Sequence, residues 1–212
     1  MCLRFLQSAM VGVLFFACTP KQQTYRVEGH INGLTSSLIY AVTTSELTAK
    51  MDTIIAKNGE FSYESSSDSL TSIVFQTKTE GFSAWFTVWV QNGDTISLSG
   101  NANHPELIEI HGNEINELLT QFRQNHKTFF LSRDELGSDK KDELYQNLYE
   151  NICAFVEEHP QSIASLVLIQ DYLMESENYD RITEALNRIE APAKNSLLYE
   201  SLNEIYRNMP EE

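Results

Sequence analysis

The chain has 212 residues, enough for one large or two small domains. Hydrophobic residues make up 42% and charged residues 21%, the balance of a folded protein rather than a disordered one. The formal charge of −15 argues against unspecific nucleic-acid binding and against electrostatic adsorption to anionic lipid, because both need an excess of Lys and Arg.

Residues 1–17 carry one positive charge, Arg4, and then an apolar run from 5 to 16. The run is too short to span a bilayer as a helix, which takes about 20 residues, but it has the order of a secretory signal. It ends Phe15-Phe16-Ala17-Cys18 and resembles the bacterial lipobox, in which apolar and small residues lead directly to a cysteine. The resemblance implies cleavage before Cys18 and lipidation of its thiol. Several acyl chains on one residue give stable membrane anchoring. Phe16 stands where that motif prefers a smaller residue, and a plain signal peptide is the alternative. Residues 18–24 then form a short polar tether. In Bacteroidetes-type lipoproteins, acidic residues directly after the cysteine mark export to the cell surface. Here none precedes Glu28, which implies a periplasm-facing anchor in the cell envelope.

From residue 25 the pattern becomes short alternating runs separated by turn residues. Runs are expected at 25–31, 38–43, 53–56, 61–63, 70–77, 85–90, 95–99 and 107–110. About eight strands with no helix between them predict an antiparallel β-sandwich or a partly open barrel over 25–111. Two hairpins are expected, at Asn58-Gly59 and Asn92-Gly93. For the second, a two-residue loop would set apolar against polar residues. A three-residue loop with Gly93 left-handed sets Val88 opposite Ile96 and Phe86 opposite Leu98, and so predicts a bulged turn. The other face carries Trp85 and Trp89. These suit a ligand-stacking platform or, more commonly for aromatics at strand spacing, burial under a further layer.

Gly112-Asn113 marks the change of period, with Asn113 as N-cap and Glu114 in the first turn. Ile115, Leu118, Leu119, Phe122, Phe129 and Phe130 form one helical stripe. Gly137 breaks it, and Ser138 can cap a second helix striped by Leu144, Leu148, Ile152, Phe155 and Val156. Pro160 ends that helix at His159. An apolar stretch follows at 163–173, then a helix capped by Asn178 and, beyond Pro192, a last helix around 197–209. The fold class expected is therefore α+β: the β domain followed by an all-α segment of about five helices over 112–212.

Several features together resemble a known arrangement. They are Val27-Glu28-Gly29 in the opening strand, Asp52-Thr53 before Lys57-Asn58-Gly59-Glu60-Phe61, Val90-Gln91-Asn92-Gly93-Asp94 leading to Ile96 and Leu98, Gly112-Asn113 with Asn116, and His159-Pro160-Gln161-Ser162. The chain resembles the β domain of unknown function, with helical linker, found amino-terminal to thioredoxin-like domains of the alkyl-hydroperoxide-reductase type in Bacteroidetes envelope lipoproteins. In that family a Cys-x-x-Cys pair follows the helices. This chain has no such pair, so the family's redox chemistry does not carry over.

No catalytic, cofactor-binding or metal-binding constellation is expected. Cys153 lies beside its helical stripe near Glu150, Glu157 and Glu158, which favours a buried, inert thiol. His30, His104, His111, His126 and His159 show no metal-ligand spacing; His104 and His111 flank a strand and could converge with Glu109 only by chance. The functional expectation is a non-catalytic interaction or binding module, held to the membrane through Cys18, with a separate thioredoxin-like envelope protein as partner. A small-ligand receptor or enzyme with a pocket at the β–helix junction is the alternative.

Overall fold

A computed structural model describes residues 23–44, 49–132, 138–174 and 179–207. The segment around Cys18, the break at Gly137 and the cap at Asn178 lie outside the described residues. Eight strands come first: β1 (Tyr25–Asn32), β2 (Leu38–Thr44), β3 (Ala49–Ile55), β4 (Glu60–Ser65), β5 (Thr71–Lys78), β6 (Ser83–Val90), β7 (Thr95–Asn101) and β8 (Glu109–His111). Six helices follow: α1 (Glu114–Asn125), α2 (Lys127–Ser132), α3 (Ser138–Glu158), α4 (Ile163–Leu168), α5 (Tyr179–Arg188) and α6 (Leu197–Arg207). The fold is α+β, as the alternation of periods predicts.

The strands form two four-stranded sheets, ordered β4-β1-β7-β8 and β3-β2-β5-β6. Alternate residues of both point into one core. Phe75 stacks on Phe86 at 5.5 Å between centroids, and Phe61 and Tyr63 reach Phe75 from the opposite sheet at 5.8 and 6.1 Å. Gly29 faces Phe61 across the β1–β4 ladder. A Cβ there would stand 2.2 Å from the Phe61 ring, so Gly29 is the space that the ring fills. One pair departs from the antiparallel expectation: β1 runs parallel to β7, with Arg26 beside Thr95 and Asn32 beside Asn101.

Neither expected hairpin is a hairpin. The β6 strand pairs with β5, and β7 pairs with β1 and β8, so residues 85–100 pass from one sheet to the other. Val88 and Phe86 therefore have no ladder with Ile96 and Leu98. All four side chains are buried, as expected, because both strands present the same alternate residues to a shared core. The turn between them is closed by Asp94 N–H donating to Gln91 O at 3.1 Å, with Gly93 left-handed. At Asn58-Gly59 both residues have positive φ, and Lys57 and Glu60 exchange two backbone hydrogen bonds of 2.8 and 3.0 Å. This is the two-residue turn that Asn-Gly favours. Its ladder stops after that one bridge, because β3 and β4 enter different sheets.

The helical half also differs in one place. The first stripe is broken at His126, which caps α1, so 127–132 form a separate α2 and six helices stand where five were expected. Helix α3 ends at Glu158, and Ser162 caps α4 by accepting from Ala164 N–H. The helix continues beyond α4 as a π-type turn, Ile169–Leu173. The apolar stretch at 163–173 forms the centre of the helical core, with Leu166, Leu168, Ile169 and Leu173 fully buried. None of the described helices is long and apolar enough to cross a membrane.

On one side of the sandwich the edge strands β3 and β4 are joined by Tyr63 Oη donating to Asp52 Oδ2 at 2.7 Å. The salt bridge from Lys50 Nζ, at 2.8 Å, and the Tyr63 hydroxyl hold the Asp52 carboxyl below its ordinary range. Burial, then the Asp52 contact, raises the Tyr63 hydroxyl far above its own. A carboxyl lowered in the folded state stabilises at neutral pH, and that contribution is lost as pH falls through the lowered value. Tyr63→Phe is expected to cost about 1–2 kcal/mol at pH 7 in denaturant unfolding, and less at pH 2, where more of Asp52 is protonated. An equal loss at both pH values would assign the effect to packing instead.

Candidate functional site

The best-built polar constellation lies where α1 meets the sandwich, on the side opposite the Tyr63–Asp52 contact. Strands β6 and β8 are edge strands there, and an edge leaves backbone N–H and C=O groups without ladder partners. Helix α1 supplies partners from side chains spaced three and four residues apart, which share one face. Asn116 accepts from Trp89 N–H at 3.0 Å and donates to Trp89 O at 2.7 Å. Its carboxamide thus stands in for the peptide group of a ninth strand. Thr120 repeats the device on β8: its Oγ1 accepts from Ile110 N–H and donates to Ile110 O, both at 3.0 Å. Gln124 Nε2 donates to Leu107 O at 3.2 Å. Asn116 and Thr120 are buried polar residues, and each is satisfied.

Asn113 starts the row. Its side chain accepts from Asn116 N–H, as an N-cap should, and donates to Trp89 O and to Asp94 Oδ2 at 2.9 and 2.8 Å. Gly112 before it has φ of +120°, and a Cβ there would meet Thr95 O at 2.2 Å, so the chain can turn from β8 into α1 only at glycine. Glu117 completes the corner, receiving Gly112 N–H at 3.2 Å and contacting His111 Nδ1 at 2.7 Å. The His111 contact is the main cause that lowers the Glu117 carboxyl. These groups bind backbone. Their chemistry is structural; sequence reading gives Asn113 its role as N-cap and notes Asn116 in the resembling pattern without a role.

The residues singled out by sequence fall as follows. Trp89 is covered by the helices, its Nε1 buried and without a hydrogen-bond partner among the described residues. Trp85 is 62% exposed, so the two do not form a platform. His111 comes within 3.9 Å of Glu109, but His104 does not join them, and the described residues hold no group of three or more His, Cys, Asp or Glu arranged for a metal. Cys153 is half-buried rather than buried, in a groove of about 410 Å³ lined by Glu157, Arg181, Glu184 and Arg188. Burial is the first cause that raises its thiol above the ordinary value, and the two arginines oppose it. Phe122, Phe129 and Leu166 are buried in the helical core. Arg123 of α1 is 3.8 Å from Asp171. A depression of about 310 Å³ opens instead at the far end of the sandwich, lined by loop residues including Asn32, Thr35, Ser36 and Asn58.

The two outer faces of the sandwich differ. Alternation puts Arg26, Glu28, His30, Glu60, Glu64 and Glu109 on the outside of β4-β1-β7-β8. Outside β3-β2-β5-β6 it puts Leu38 beside Ile55, Met51 beside Val42 and Val74, and Trp85 in line with Gln76 and Tyr40. Leu38, Met51, Ile55 and Trp85 are 39 to 74% exposed.

Residues 25–119 match the model of a family described as a domain of unknown function (DUF4369). The match spans the sandwich and runs into α1 as far as Leu119, so Asn113 and Asn116 fall inside it. No curated protein matches the chain.

Asn116→Ala takes the side-chain acceptor from Trp89 N–H, leaves Trp89 O with Asn113 alone and opens a gap at a buried position. It is expected to cost about 2–4 kcal/mol in denaturant unfolding, well above an exposed substitution such as Gln121→Ala. Alkylation of Cys153 at pH 7 is expected to be slower than that of a free cysteine, because little of it is thiolate. A rate equal to that of free cysteine would refute the effect of burial.

Proposed function

We propose that this chain is a membrane-anchored cell-envelope lipoprotein, attached through Cys18 and periplasm-facing, that works as a non-catalytic interaction or binding module. The observation that carries the reading is the asymmetry of the sandwich, polar and acidic on one outer face and apolar on the other. A soluble protein keeps large apolar patches covered, and an apolar sheet face left open on a well-packed scaffold marks a contact surface. The lipid-anchor part rests on the apolar run ending at Cys18. The partner is a separately encoded thioredoxin-like envelope protein, as the resemblance of the β and helical halves implies. The α1 row supports the same reading, because a module whose halves are fixed to each other presents one rigid surface. Burial of Phe122, Phe129 and Leu166 in the helical core favours this over a pocket enzyme.

Two measurements test it. Cys18→Ser is expected to move the protein from the membrane to the soluble envelope fraction, and mass spectrometry of the wild-type amino terminus to find acyl chains on residue 18. Cross-linking in intact cells is expected to recover a thioredoxin-like protein. Recovery of no redox protein would remove that partner and leave the anchor untouched.

A further inference from the structure

The apolar outer face of β3-β2-β5-β6 has three properties that together select an occupant. The first is charge. Within the described strands, alternation places Lys78 as the one charged residue on this face and no carboxylate, in a chain of net charge −15. The second is composition: Trp85, Tyr40, Leu38, Met51 and Ile55, with Phe82 46% exposed in the turn between β5 and β6, while Trp89 at the far end of β6 on the same face is covered by the helices and takes no part. An indole with a wet edge and aliphatic neighbours suits a lipid–water boundary. The third is size. Four strands about 4.8 Å apart, over about six residues each, give a face of roughly 300 Å² in projection. That is about the extent of the largest apolar patch on an ordinary monomer, enough for a contact that tethering reinforces.

The entry of the chain fixes where this face can go. Thr24 is held at one end of the sandwich, its carbonyl accepting from Gly93 N–H at 3.0 Å and its hydroxyl donating to Glu64 at 2.8 Å. Five residues, 19–23, separate that point from Cys18, a span of six Cα–Cα steps. Extended, they reach about 20 Å. Strand β1 lies in the sheet away from the apolar face, and stacked sheets are about 10 Å apart, so a tether of this length lets the face lie flat on the surface that holds the anchor. Tethering also supplies a high effective concentration, so a patch too small to bind vesicles firmly by itself suffices.

We infer that the β3-β2-β5-β6 face rests in the headgroup layer of the anchoring membrane, with Leu38, Met51, Ile55 and Trp85 toward the lipid and the acidic β4-β1-β7-β8 face toward solvent. The inference rests on the lipid-anchor reading, and it leaves the acidic sheet and the helices free for a protein partner.

The test uses the full-length lipidated protein reconstituted in phosphatidylcholine vesicles, with and without brominated acyl chains. Brominated lipid is expected to quench the tryptophan emission and Trp85→Phe to abolish most of that quenching, leaving the covered Trp89. Met51→Glu with Ile55→Glu, both at exposed sites, is expected to abolish the quenching while the protein still floats with the vesicles. Flotation without quenching overturns the docking and leaves the anchor intact. Failure to float, matched by Cys18→Ser, overturns the anchor and the docking with it. Trp85 shielded from acrylamide without vesicles, with a doubled sedimentation mass, assigns the face to a second copy. Trp85 shielded only on addition of the cross-linked envelope partner assigns it to that protein. Either result overturns the lipid.

Discussion

The edges of two sheets that share a core leave backbone groups that water, a side chain or a covering element must satisfy. In this protein the two sides are treated differently. One side carries a side-chain contact between Tyr63 and Asp52 and the tight turn at Asn58-Gly59. The other is closed by a helix that offers Asn116 to β6 and Thr120 to β8. Unpaired peptide groups are costly when buried, so α1 has little freedom to sit elsewhere. The placement of the helical half follows from it. Leu119 and Phe122, on the same helix, turn away from these side chains and into the helical core. A helix that is polar toward the sheets and apolar toward its own neighbours thus belongs to both halves.

That arrangement explains what the sequence shows and what it hides. Strand positions and inward faces are legible, because alternation reports which side of a strand meets the core. Pairing is not legible by the same means. In 85–100, Phe86, Val88, Ile96 and Leu98 face one core whether the strands lie side by side in one sheet or opposite each other in two. The Asn-Gly signals also report the local turn and nothing beyond it. Asn58-Gly59 makes its tight turn, and the strands then part at once. The parallel β1–β7 pair has no local signal at all.

The α1 row is hidden for a related reason. Asn113 shows itself because an N-cap has a sequence grammar. Asn116 stands in the resembling helix start, but nothing in the sequence gives it or Thr120 a role, since a polar residue buried against backbone has the composition of an exposed one. The spacing from Asn113 through Asn116 and Thr120 to Gln124 is the signal that could have revealed it, as a second, polar stripe beside the apolar one. The break at His126 escapes because Phe129 and Phe130 continue the apolar pattern across it. The arginines of α5 that share the groove of Cys153, Arg181 and Arg188, come from 28 and 35 residues further along the chain, and no local pattern announces them.

The parallel pairing of β1 with β7 also sets a schedule. Arg26 finds its neighbour about 70 residues further on, and contacts of such separation slow folding because a long loop must close first. Until Thr95 emerges, β1 can pair only with β4, and its other edge stays open. While that edge is open, the charged Arg26, Glu28 and His30 along β1 disfavour exchange with a strand of another copy, before they serve as part of the finished surface.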